Sequence, residues 1–267
     1  MTTTATRPDA GRTRAAIAAK TLRTDRWWFP PLITFVGLTA WVTYATVRVF
    51  MHKWFWVEEY HYLTPFYSPC VTERCGNAAE FGTPLPANWF IPDAAFTLPF
   101  LLLFRLTCYY YRKAYYRAFW LSPPACAVPD GHQKYTGETR FPLIFQNIHR
   151  YAFYAAAVIS IINTWDAIVA FHSPEGFGFG LGNVILVGNV VMLWAYTLSC
   201  HSCRHIVGGR LKHFSKHPVR YSFWNLVSKL NTRHMALAWI TLGTLALTDF
   251  YVMAVAANWI NDLRFIN

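Results

Sequence analysis

The residues best suited to chemistry stand together: Cys200-His201-Ser202-Cys203-Arg204-His205. Two thiols and two imidazoles within six positions supply soft and borderline ligands of the kind that bind zinc, iron–sulfur clusters or haem iron. The stretch closes an apolar run that begins at Gly182, so these donors stand where a membrane helix would meet water. Read as one continuous helix at about 100° per residue, Cys200 and Cys203 lie roughly 60° apart on one face, and His201 and His205 roughly 40° apart on nearly the opposite one. Such a helix cannot aim all four at one compact cofactor. Further ligands must then come from Cys108, Cys126, His149 or His234.

The elements that position these residues are membrane spans. The chain is 54% hydrophobic, 18% aromatic and only 14% charged, which excludes an ordinary soluble domain. Runs of roughly 20 apolar residues span a hydrocarbon core about 30 Å thick. Five qualify, at Pro31–Phe50, Pro92–Tyr111, Leu143–Phe171, Gly182–His205 and His234–Trp259. Of the Lys and Arg residues outside these runs or at their edges, nineteen fall on one side and four on the other (Arg48, Lys53, Arg74 and Arg264). The positive-inside rule then places the N-terminus in the cytoplasm and the C-terminus outside. The predicted fold is an all-α integral membrane protein with five transmembrane helices. Residues 1–26 form a mobile basic cytoplasmic tail without a secretory signal, and residues 27–267 a five-helix anchor domain. The net charge of +11 follows from this loop asymmetry and points to anionic lipid or an acidic partner subunit, with no nucleic acid bound.

Taken in order, Trp27 and Trp28 mark a membrane interface. The external segment His52–Asn88 carries four prolines and an aromatic cluster expected to lie along the membrane as a lid. Cys70 and Cys75 face an oxidising compartment, where a small disulfide is the leading reading. Arg105 stands inside an apolar run, a costly position unless the side chain finds a partner in the bundle or snorkels to the headgroups. A tyrosine band from Tyr109 onward reads as an interfacial anchor. Cys126 is held in a proline-rich cytoplasmic loop, and His149 lies near the cytoplasmic end of the third span. The glycines at 176, 178, 180 and 182 make a structural turn, because no P-loop Lys follows them. The basic loop Gly208–Leu230 suits an amphipathic surface helix or a docking surface. Cys108, His149, Cys200, His201, Cys203, His205 and His234 therefore form one layer near the cytoplasmic boundary, which resembles a cofactor socket.

Four stretches add a family resemblance: Thr107–Arg117, Pro123–Val128, Gln146–Tyr151 and Ser199–His205. They resemble the membrane-anchor subunit of mycobacterial and actinobacterial succinate dehydrogenase, a class of complex II. The resemblance implies a haem-free anchor, docked to a flavoprotein subunit and an iron–sulfur subunit on the cytoplasmic side of the plasma membrane. It also implies a membrane-embedded Rieske-type [2Fe–2S] cluster held by two Cys and two His, passing electrons to membrane quinone within the respiratory chain and the tricarboxylic acid cycle. On topology the favoured ligands are Cys126, Cys200, His149 and His205, with Cys108, His201 and His234 as substitutes. Arg105, Tyr109 and His201 are the candidate quinone donors. Succinate oxidation belongs to a partner subunit, since this chain shows no dinucleotide fingerprint. Three alternatives stay open: a dihaem cytochrome b anchor using His149, His205 and His234 for haem b, a metal-ion transporter whose Cys/His layer binds the metal, with Asp166 and Asp249 near the external ends of its route, and a structural scaffold.

Overall fold

A computed structural model describes residues 21, 23–131, 139–141, 143–174 and 176–266. Residues 1–20, which hold most of the predicted tail, lie outside the described residues. The chain is largely helical: α1 (Phe29–Met51), α2 (Leu98–Thr107), α3 (Tyr109–Tyr115), α4 (His149–Val169), α5 (Leu181–Ser199), α6 (His201–Gly208), α7 (Pro218–Asn231) and α8 (His234–Ala256). Four helices are long and apolar enough to cross a membrane: α1, α4 with the 3-10 turns that precede it, α5 and α8. A fifth crossing would need the interrupted pair Asp93–Thr107 and Tyr109–Trp120.

Two predicted spans therefore differ from the expectation of continuous helices. The second is broken at Cys108, whose backbone is extended (φ −65°, ψ 129°) and whose carbonyl accepts from Arg112 N at 2.8 Å to open α3. The fourth ends at Ser199, because Cys200 is extended (φ −62°, ψ 138°) and α6 starts afresh behind it. Capping bonds, near and distant in sequence, hold the break at Ser199 and Cys200. Ser199 Oγ donates to Tyr196 O at 2.7 Å, and Asn231 Nδ2 donates to Ser199 O at 2.7 Å, which occupies a terminal carbonyl. Cys200 Sγ in turn accepts from Ser202 N at 3.4 Å, capping the new helix. The angular argument that placed Cys200 and Cys203 on one helix face is thereby corrected, since Cys200 belongs to neither helix.

The chain divides into two compact units. The smaller holds Met1–Val42 and Leu106–Asn147. Here Gln146 Nε2 donates to Tyr115 Oη and Tyr116 Oη at 2.9 and 2.8 Å, and Arg112 donates to Gln146 Oε1 at 3.1 Å. One glutamine thus ties the tyrosine band to the loop that leads away from it.

The larger unit holds Thr43–Arg105 and Ile148–Asn267. Its helices are inverted relative to a soluble core. Val158, Ile161, Val191, Ile240, Leu247 and Phe250 face outward, while Asn163, Asn183, Asn189, Thr197, Thr241, Thr248 and Asp249 are buried. Lipid favours this arrangement, because only the interior offers partners to polar groups. Trp194 Nε1 donates across to Thr164 Oγ1 at 2.9 Å, an example of such an interhelical bond.

At one end of this unit the segment after α1 packs on the helices through Tyr62, Leu63, Phe66 and Tyr67, all buried. A short antiparallel pair, β1 (Trp56–Val57) and β2 (Tyr62–Leu63), buries Tyr62 in a core with Ala167, Leu186 and Val252. Tyr62 Oη lies 2.8 Å from both Asn183 Oδ1 and Asp262 Oδ2 and accepts from Arg264 at 2.9 Å. Gly182 is required beside it, since a Cβ there would stand 2.2 Å from the Tyr62 ring. Cys70 and Cys75 are joined in a disulfide with Cα atoms 5.8 Å apart. A buried ion pair completes this end: Arg48 Nε donates to Asp249 Oδ2 at 2.6 Å and NH2 to Oδ1 at 3.1 Å, with Thr64 and Tyr44 hydroxyls also donating to Asp249.

Candidate functional site

The opposite chemistry gathers where α4, α5 and α6 meet in the larger unit. His149, the first residue of α4, and Cys200, the extended residue between α5 and α6, touch: Nε2 lies 3.1 Å from Sγ. Both are buried, His149 being 7% exposed and Cys200 0%. The His149 ring is stacked on Phe104 at 5.1 Å, and the His201 ring lies 5.8 Å from it on the other element. The helix break is what makes this possible, since an extended residue can present its thiol along a direction closed to a helical one.

A second layer supports the first. Tyr196 packs edge-on against Phe104 at 5.4 Å and stacks on His234 at 5.1 Å. His234 Nδ1 lies 2.6 Å from Ser199 Oγ, which orients the ring from the start of α8. Arg105 is buried rather than snorkelling outward. Its guanidinium lies 5.0 Å over the Tyr196 ring and donates to Thr241 Oγ1 at 3.3 Å and to Ala238 O at 3.4 Å. A cation placed over an aromatic face and bonded to α8 satisfies the requirement that an intramembrane arginine find partners within the bundle.

His205 lies further out. It is exposed, and the guanidinium of Arg150 donates to its Nδ1 at 2.6 Å, which leaves the ring proton of a neutral imidazole on Nε2. Cys203 is buried in α6, where burial pushes its thiol up and holds it protonated. Of the residues in the smaller unit, Cys108 is buried at the break between α2 and α3. Cys126 is exposed, with Arg117 NH2 3.6 Å from its sulfur and Arg23 donating to its carbonyl at 3.0 Å. Tyr109 is also exposed, beneath the Arg112 guanidinium at 5.4 Å.

The chemistry of the donors fits a thiophilic metal centre. His149 and Cys200 supply one nitrogen and one sulfur, buried and in contact, which would be half of a two-Cys, two-His set. Among the described residues, three ligating groups gather within 4.8 Å of one another only at Cys70, Cys75 and Asp93, whose sulfurs are already bonded to each other.

Sequence reasoning missed the supporting residues Phe104, Tyr196, Ser199 and Thr241. Phe104 and Tyr196 read as ordinary apolar filling, and the Ser199–His234 contact joins positions 35 residues apart. It also missed the Arg48–Asp249 pair, having counted Arg48 among the external loop charges and Asp249 as a possible transport ligand. The signal available was an acidic residue within an apolar run, which needs a buried cation nearby.

The comparisons with known proteins identify the family. A chain of the solved Mycobacterium smegmatis Sdh1 complex in the apo form is 70% identical, with a TM-score of 0.88, over 92% of this chain and 94% of that one. No curated protein matches the sequence. The family described as the actinobacterial succinate dehydrogenase subunit SdhC matches residues 29–258, which include the whole Cys/His layer and all the candidate spans. The chain belongs to that family, and is thus a membrane subunit of a succinate dehydrogenase complex.

Proposed function

We propose that this subunit carries electrons from a soluble iron–sulfur partner to membrane quinone by way of a His- and Cys-ligated centre at the His149–Cys200 contact. The observation that carries the reading is that contact: a buried imidazole and a buried thiol at 3.1 Å, presented by a helix start and a helix break. Within the larger unit the proposed ligands are Cys200, His149 and His205, the last exchanging its Arg150 contact for the metal, with His234 and His201 as substitutes, the His201 ring lying 5.8 Å from His149. A [2Fe–2S] centre with imidazole ligands supplies a one-electron carrier of higher potential than its all-cysteine counterpart. Phe104 and Tyr196 wall the site, and exclusion of water by such rings favours a defined potential. Arg105 is the strongest quinone donor candidate, since its guanidinium is fixed over Tyr196 and beside Thr241, close to this layer. Tyr109 and His201 are the further candidates. In this reading the flavoprotein and iron–sulfur subunits oxidise succinate at the cytoplasmic face of the plasma membrane, and the anchor serves quinone.

Two assays on the intact complex test the reading. In His149→Ala, succinate oxidation measured with a soluble dye that accepts electrons from the partner subunits stays near the wild-type rate, while quinone reduction falls at least tenfold. Quinone reduction at the wild-type rate in that variant would overturn the assignment. His205→Ala and His201→Ala then decide the second nitrogen ligand, because only the true ligand reproduces the split between the two assays.

A further inference from the structure

The basic segment that links α6 to α8 has no role in the reading above. From Gly176 to Thr248 the sequence contains no Asp or Glu, while Arg204, Arg210, Lys212, Lys216, Arg220, Lys229 and Arg233 all fall between the ends of two spans. The structure shows how this stretch is held. Arg220 donates from α7 to Val207 O at 2.9 Å and Gly209 O at 3.2 Å, the last carbonyls around the end of α6. Trp224 packs under Arg204 at 4.8 Å, and Gly208 leaves room for it, since a Cβ there would stand 2.2 Å from the indole. Val227 is buried on the same side.

A second face of α7 is left apolar and open. Val219 is 67% exposed, Phe223 57% and Leu226 54%. At about 100° per residue these three fall within roughly 60° of arc, about 100° around the helix from the packed side that carries Arg220, Trp224 and Val227. The level of this face is fixed by the spans. Asn231, the last residue of α7, donates to Ser199 O at the end of α5, and Ser199 contacts His234 at the start of α8.

We infer that α7 lies in the membrane surface, with Val219, Phe223 and Leu226 in the acyl boundary and Lys212, Lys216 and Lys229 on the phosphates of anionic phospholipids. Three observations single out lipid. The apolar arc is tethered at the depth where two spans end, the flanking lysines are exposed, and no acidic side chain in the segment opposes an anionic surface. This is the pattern of an interfacial amphipathic helix, bound by apolar insertion together with attraction to anionic headgroups.

Hydrogen–deuterium exchange over residues 218–231 tests the inference on the intact complex. It would be compared in detergent, in nanodiscs of phosphatidylcholine, and in nanodiscs of equal parts phosphatidylcholine and phosphatidylglycerol. The expected order of protection is lowest in detergent and highest in the anionic disc. In K212Q/K216Q/K229Q the ratio of anionic to neutral protection falls by about fivefold for each charge removed, until no lipid preference remains. V219S/F223S/L226S lowers protection in both discs, and because these side chains are exposed, the packed side of α7 is untouched. Equal protection in detergent and in both discs would mean that a partner subunit covers the face, which overturns the proposal. Absence of protection under every condition overturns it equally.

Discussion

At one end of the larger unit, the buried carboxylates of Asp249 and Asp262 are each met by an arginine. Arg48 and Asp249 are 1% and 0% exposed and bonded twice, and Asp262 lies 3.3 Å from Arg264 with Tyr251 and Tyr62 on its oxygens. At the Cys200 end the buried polar groups are thiols and imidazoles, supported by aromatic rings, a serine and one arginine. The first set is hard, with carboxylates, guanidinium and hydroxyls neutralising one another, and its use is to lock helices together. The second is soft, with sulfur and imidazole nitrogen donors of the kind that suit a metal. One unit thus holds a charge-paired network at one end and a thiol and imidazole layer, the proposed metal site, at the other. Substitutions at the two ends are expected to fail in different ways.

The largest stability loss is expected from Arg48→Met. It leaves the Asp249 carboxylate buried without its cation, and removing one partner of a buried pair costs about 3–5 kcal/mol. Thermal unfolding of the solubilised complex would show this, and R48M/D249L would recover most of the loss. Equal destabilisation in the single and double variants would show that the pair does not act as a unit. Gly182→Ala comes next, because its new Cβ would stand 2.2 Å from the Tyr62 ring. Overpacking of this kind costs roughly 1–3 kcal/mol, read from the same melting curves. Cys70→Ser/Cys75→Ser is expected to cost about 2 kcal/mol, the contribution of closing so short a loop. Cys200→Ser sharpens the comparison from the other side. A serine hydroxyl still accepts from Ser202 N, so stability changes by less than about 1 kcal/mol, while quinone reduction by the complex collapses.

What the sequence reveals differs between the two ends for a physical reason. Apolar run length marks the spans, because burial in lipid requires it everywhere along a helix. An arginine amid apolar residues marks Arg105 for the same reason, although the choice between burial and snorkelling is made by Tyr196 and Thr241, which lie far off in the chain. The helix breaks are not legible. Leu106-Thr107-Cys108-Tyr109 and Leu198-Ser199-Cys200-His201 contain no Gly or Pro, so a periodic reading runs straight through both. At Cys200 the break is accompanied by contacts from Asn231 and His234, 32 and 35 residues beyond Ser199. The residues that matter most for aiming a thiol are therefore distant in sequence and ordinary in type. Arg48 illustrates the same limit, since its partner is 201 residues away.

The most direct test of the central claim is EPR, with iron and sulfide analysis, on the intact dithionite-reduced complex, comparing wild type with His149→Ala and Cys200→Ser. The account predicts a [2Fe–2S] signal of low average g in wild type that is absent from both variants, with the iron and sulfide content of the complex reduced by one binuclear cluster. A signal that survives both substitutions would contradict the role of the His149–Cys200 contact. A haem Soret band in place of that signal would show that a different cofactor occupies this layer.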